Sequence, residues 1–221
     1  MSVTATIGRR SFAERLKRWT EWRDRVDWKY NADTGGTIQM AELDVTAPNA
    51  AFATCYRAAL GWVIRRFIRQ LPIDPAQFTF VDLGSGKGRA LLVAAEFDFS
   101  SVVGVEFCAA LHETALANIA HLPAARRAGG RVRSVLGDAT EFPLPQTDLV
   151  CFLYNPFGPP VIDAVAERLA AHCDAGFRVF VIYINPRHRD VFERAGRFET
   201  IYEHNKGVIF RAIANDAAAK N

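Results

Sequence analysis

The chain has 221 residues, 50% of them hydrophobic and 23% charged, which suits one well-cored globular domain with an extension. Its net charge of +3 would help a polyanion approach but falls far short of the dense basic clustering of a dedicated nucleic-acid binder, so nucleic acid is not the favoured partner. The four cysteines (Cys55, Cys108, Cys151, Cys173) form no C-x-x-C pair and have no histidines at ligand spacing, and no apolar stretch approaches the roughly 18 residues that span a bilayer; a reduced, metal-free, cytoplasmic protein off the membrane is expected.

From Ser11 to about Trp28, Phe12, Leu16, Trp19 and Val26 recur at helical spacing, which predicts an amphipathic helix docked on the main domain. The turn-rich run from Tyr30 to Thr37 follows, and Thr34–Glu42 is a candidate lid with Gly35 and Gly36 as hinges. Pro48-Asn49 opens a second helical pattern running to about Leu71, where Pro72 stops it. Residues 1–72 therefore read as an N-terminal helical extension, 73–215 as the main domain and 216–221 as a frayed tail.

Beyond Pro72 the text alternates. Strands are expected at Phe78–Leu83, Ser101–Glu106, Arg131–Leu136, Leu149–Tyr154 and Arg178–Asn185, with helical stretches at Arg89–Glu96, Ala109–Ala120, Val161–Ala171 and Arg187–Ala195 between or after them. Such alternation implies a parallel sheet covered on both faces. Phe198–Glu203 and Val208–Ile213 flank His204-Asn-Lys-Gly207 and predict a closing hairpin. The fold class is α/β: a Rossmann-like three-layer sandwich, mostly parallel, with one antiparallel strand from the C-terminal hairpin.

The chemistry concentrates at strand ends. Asp82-Leu-Gly84-Ser85-Gly86-Lys-Gly88 joins the first strand to a helix, and its glycines let the backbone turn sharply and a ligand approach without meeting a Cβ. Dinucleotide sites use G-x-G-x-x-G, whereas the third glycine here comes one position early, a spacing that leans away from NAD without removing an NAD-dependent oxidoreductase from the alternatives. Glu106, before Phe107 and twenty residues after Gly86, can accept both hydroxyls of a ribose. Asp138 and the N–H of Ala139 follow the third strand, where they can address an adenine. After the fourth strand comes Asn155-Pro156-Phe157-Gly158; proline restricts the residue before it to extended geometry, so the Asn155 carbonyls are expected to point into the pocket. Lys87 is expected to face solvent.

Val81–Gly88, Gly104-Val-Glu106 and Gly137-Asp138 resemble the nucleotide-binding motifs of class I S-adenosylmethionine (SAM)-dependent methyltransferases. With Phe152–Pro159 added, the pattern looks most like the non-SET histone-lysine methyltransferases and their small bacterial relatives. The resemblance implies SAM as cofactor, held by Asp82, Gly84, Ser85, Gly86, Gly88, Glu106, Phe107, Asp138, Ala139 and Asn155. It implies Asn155, Pro156 and Phe157 as the reaction site, no metal, and a methyl acceptor bearing an amino group, a protein lysine being preferred. A small-molecule methyltransferase and a non-catalytic SAM-binding module stay open beside it.

Overall fold

In the computed structural model, residues 24–39, 56–194 and 196–215 are described. The expected helix over residues 11–23, the start of the second helical pattern at Pro48-Asn49, Cys55, Ala195, the end of the candidate lid and the C-terminal tail lie outside them.

The chain enters through α1 (Arg25–Tyr30), which Asp24 caps by accepting the Val26 N–H at 3.0 Å. A two-residue ladder pairs β1 (Thr37–Ile38) antiparallel to β2 (Tyr56–Arg57), and α2 (Gly61–Ile68) follows. The second helical pattern is thus shorter than its periodicity suggests. Tyr56 and Arg57 belong to a strand, Leu60 is the extended N-cap, and the helix ends at Ile68 rather than at about Leu71.

The remaining elements are β3 (Phe78–Leu83), α3 (Arg89–Ala94), β4 (Ser101–Glu106), α4 (Ala109–Ala120), α5 (Ala124–Arg127), β5 (Val132–Leu136), β6 (Asp148–Tyr154), α6 (Pro159–Asp174), β7 (Val179–Ile184), α7 (Arg189–Arg194), β8 (Phe198–His204) and β9 (Gly207–Ala212). They build a seven-stranded sheet in the order β5-β4-β3-β6-β7-β9-β8. The first five of these strands run parallel, and β9 lies antiparallel to both β7 and β8. The predicted fold class is borne out, hairpin included.

Every residue of β3 and β7 is buried, as expected of central parallel strands covered on both faces. Alternate side chains feed two cores. Phe78, Phe80, Val150, Phe152 and Ile182 pack with α2 and α3, whereas Val81, Leu83, Leu153 and Tyr183 pack with α6 and α7. Asp82 alternates with Phe78 and Phe80, and Glu106 with Val102 and Gly104, so both emerge at the C-terminal edge on the face that α2 and α3 cover.

Charge also ties the N-terminal elements to that face. Glu96, just past α3, accepts from Arg65 Nε at 2.6 Å and Nη2 at 2.8 Å, and from Lys29 Nζ and the Tyr30 hydroxyl at 3.0 Å. Burial alone would raise its pKa; the donors win and pull it to about 2. A carboxylate held below its ordinary value adds stability above that value and loses it as pH falls towards the folded one. Glu96→Gln is therefore expected to lower stability at neutral pH by about 1–3 kcal/mol. It should also flatten the acid unfolding profile between about pH 4.5 and about pH 2, measured by urea denaturation across pH.

Candidate functional site

The turn after β3 is built by its glycines. Gly84, Gly86 and Gly88 all have positive φ (82°, 52° and 83°), which β-carbon sterics make costly for other residues. The Gly84 and Ser85 N–H groups both donate to the Val105 carbonyl, at 2.9 and 3.0 Å, which folds the turn back over the end of β4. Close approach matters as much as torsion. A Cβ on Gly84 would lie 2.7 Å from Pro156 Cβ, and one on Gly86 would lie 2.2 Å from the Tyr56 ring. Gly104 makes room from below, since a Cβ there would meet Ser85 and Leu91 at 2.7 Å.

Glu106 closes the arrangement. Its two oxygens accept the Gly86 N–H at 2.7 Å and the Cys108 N–H at 2.9 Å. Burial raises its pKa, and N–H groups of Cys108, Gly86 and Phe107 oppose the rise. Asp82 is raised well above the usual carboxylate range, first by complete burial and then by the charge of Glu106. Ser85 Oγ is buried and has no hydrogen-bond partner among the described residues. One cavity collects Asp82, Gly84, Ser85, Gly86, Glu106 and Phe107, with Pro156 and Phe157 across from the glycines. Ile64, Phe152 and Tyr154 make its greasy side, and Tyr56, Arg57, Ala58 and Ala59 make the edge contributed by the extension.

No protein-family model matches the chain, and no curated protein matches it. Solved structures match it in fold. A glycopeptide N-methyltransferase complexed with SAM aligns over 70% of this chain and 94% of its own, with a TM-score of 0.53 and 13% identity. A proposed RNA methyltransferase of Pyrococcus horikoshii covers 79% of this chain and 95% of its own at 0.52 and 16% identity. A proposed SAM-dependent methyltransferase of Methanococcus maripaludis covers 71% and 85% at 0.50 and 18% identity. The chain shares its fold with these methyltransferases.

Within this methyltransferase fold the cavity brings together most, not all, of the residues singled out by their motifs. Gly88 is a packing glycine: its missing Cβ would lie 3.2 Å from Ala115 Cβ in α4. Asp138 and Ala139 lie past β5 and do not line the cavity; Asp138 Oδ1 accepts the Thr140 N–H and hydroxyl at 2.8 and 2.7 Å, as in an Asx turn. Asn155 is buried beside the cavity without lining it, and its backbone corrects the expected geometry. Its φ is +43°, left-handed rather than extended, because asparagine tolerates that region well enough to override the bias imposed by Pro156. Asn185, before Pro186, repeats this at +49°.

The extension supplies what motif reading missed. Arg89, the first residue of α3, is 4% exposed and donates to Thr34 Oγ1 at 2.6 Å, Asp27 Oδ2 at 2.9 Å and Asp24 Oδ2 at 3.3 Å. Asn118 accepts the Asp33 N–H at 2.8 Å and donates to the carbonyls of Asp33 and Lys87 at 2.9 Å. Lys87 does not face solvent: its side chain is 12% exposed and its Nζ meets the Asp33 carboxylate at 3.1 Å. The signal was present in Arg89-Ala-Leu-Leu-Val-Ala94, where one charge opens an apolar helix and burial obliges it to find partners. Arg89→Met is expected to cost about 3–5 kcal/mol in urea unfolding, since it strands the buried Asp24 carboxylate and the partly buried Asp27. Gly84→Ala, which must displace Pro156 from a left-handed turn, is expected to cost about 1–3 kcal/mol by the same measurement.

Proposed function

We propose that this protein is a SAM-dependent methyltransferase. The observation that carries the reading is the pair of buried carboxylates, Asp82 and Glu106, at adjacent strand ends around a glycine turn and in one cavity. Two acids whose ionisation is opposed by burial, and in Asp82 also by the charge of Glu106, favour a cationic ligand. A dinucleotide would bring a diphosphate towards the same two charges, which counts against the oxidoreductase alternative.

The residues present fit such a donor. When bound, SAM supplies a methyl group on a cationic sulfur to an acceptor lone pair. The left-handed glycines keep the cavity floor free of β-carbons, and Glu106 lines the same cavity, where its carboxylate would accept ribose hydroxyls. Ser85 Oγ offers a further polar contact. Phe107, Phe152 and Phe157 keep water from the reacting groups. Asp138 and Ala139 would reach an adenine only from outside the present cavity wall, so their assignment rests on motif order.

Within this reading the acceptor is an amino nitrogen, and the likeness of the Phe152–Pro159 run favours a protein lysine. Asn155, Pro156 and Phe157 would align that acceptor; in-line transfer asks chiefly for approach to about 3–3.5 Å. The extension, residues 1–72, serves in this proposal as a clasp over the donor end of the domain at residues 73–215.

Calorimetry with SAM and S-adenosylhomocysteine tests the donor site directly. Binding of SAM is expected to release protons, because a cation favours the ionised forms of Asp82 and Glu106, whose ionisation burial opposes in the free protein. Affinity should therefore rise with pH through their raised titration range, and Glu106→Gln should blunt both effects. NAD binding without any response to either adenosyl ligand would overturn the reading. Labelled SAM and a size-fractionated extract test the acceptor: label confined to small molecules would remove the lysine preference, and Asn155→Ala should slow transfer by about a hundredfold, a larger loss than it causes in SAM affinity.

A further inference from the structure

Beside the cavity, the extension turns a basic and aromatic face to solvent. Arg57, Ala58 and Ala59 line the cavity's edge, Leu60 then caps α2, and Ile64 in that helix lines the cavity again. Because Val63, Ile64, Phe67 and Ile68 are buried, Trp62, Arg65, Arg66 and the C-cap Arg69 form the outward stripe of the helix at its 3.6-residue period. Leu60 is 37% exposed and Trp62 52%, so a large apolar surface meets water directly after the cavity lining ends at Ala59. No acidic residue lies between Tyr56 and Ile73. Arg65 is answered by Glu96 at 2.6 Å, whereas Arg66 donates to the neutral hydroxyl of Tyr202 at 2.9 Å. Arg57 and Arg69 are exposed and form no ion pair among the described residues. Arg57, Arg66 and Arg69 thus stand beside an exposed indole without a carboxylate to offset them.

We infer that this stripe docks the methyl acceptor, and that the acceptor is a protein whose target lysine lies near an acidic segment. The inference rests on the methyltransferase reading above and narrows its acceptor. Tryptophan and arginine are the side chains that most often carry the binding energy of protein interfaces. Carboxylates of the partner would complement Arg57, Arg66 and Arg69, and an apolar side chain would cover Trp62. From Trp62 to Arg69 the helix axis rises about 10 Å, the length of about three extended residues. An acceptor lying along it would hold its lysine at the cavity end and its acidic residues about three positions away. Three arginines over so short a surface are a sparse footprint for a nucleic acid, which disfavours that class of partner.

Fluorescence anisotropy with three labelled probes gives the test: a peptide with aspartates about three positions from a lysine, the same peptide with arginines in their place, and a single-stranded uridine oligonucleotide. The wild-type protein is expected to bind the acidic peptide at least about tenfold more tightly than the basic one. The double substitution Arg66→Glu/Arg69→Glu should erase or reverse that preference. With labelled SAM, it should raise the KM for the acidic peptide more than it lowers kcat. Should the double variant fail to fold, Arg69→Glu alone changes an exposed, unpaired side chain and should weaken the acidic peptide by about threefold or more. Equal binding of the two peptides, tighter binding of the oligonucleotide, or a preference that survives the charge reversal would overturn the acidic acceptor and leave the donor site standing. Failure of the wild-type protein to bind SAM in calorimetry would instead overturn the methyltransferase reading beneath it.

Discussion

Two carboxylates held out of water beside one another are the constraint around which this end of the molecule is arranged. Asp82 and Glu106 lie on neighbouring strands, and both are almost wholly buried. Isolated ions in such surroundings would be very costly, so the backbone is bent to supply N–H groups to one of them. That bend requires left-handed residues and close packing with the turn after β6, and glycine meets both conditions. The turn, the strand register and the missing side chain of Gly104 answer a single electrostatic demand.

A second charged cluster stands behind the first and has the opposite character. Arg89 is surrounded by enough oxygen to be satisfied where it is, so it works as a fastener rather than as a ligand site. Through it, Asp24, Asp27 and Thr34 are joined to the helix that begins where the glycine turn ends. Asn118 makes the same connection from α4 with neutral hydrogen bonds. The extension thereby becomes a wall of the cavity, not a neighbour of it.

The main fold was legible because its signals are local and repeated: hydrophobic strands, glycine turns and helices alternate, and Ser101–Glu106 and Ala109–Ala120 emerge with the bounds their patterns predict. The C-terminal hairpin was readable from Gly207 and its flanking β-prone runs for the same reason. The second helical pattern was overread, since Tyr56 and Arg57 fall within its apolar spacing yet pair with β1 residues 18 and 20 positions away, which no local period records. Likewise the left-handed Asn155 departs from the pre-proline bias because asparagine's own tolerance competes with it. Asp82, the glycines and Glu106 could be read from strand-end chemistry; Tyr56 and Arg89 could not, because their roles depend on which distant segment meets them.

The side chains that hold Arg89 lie 55 to 65 residues before it in the chain. A ribosome therefore releases Asp24, Asp27 and Thr34 well ahead of the guanidinium that neutralises them, and the glycine turn appears only just before it. The earlier segment must wait for the counterion that the later one brings. Until Arg89 and the rest of α3 have emerged, Asp24 and Asp27 lack the guanidinium that ties them to the main domain, so this end of the protein sets into shape only then.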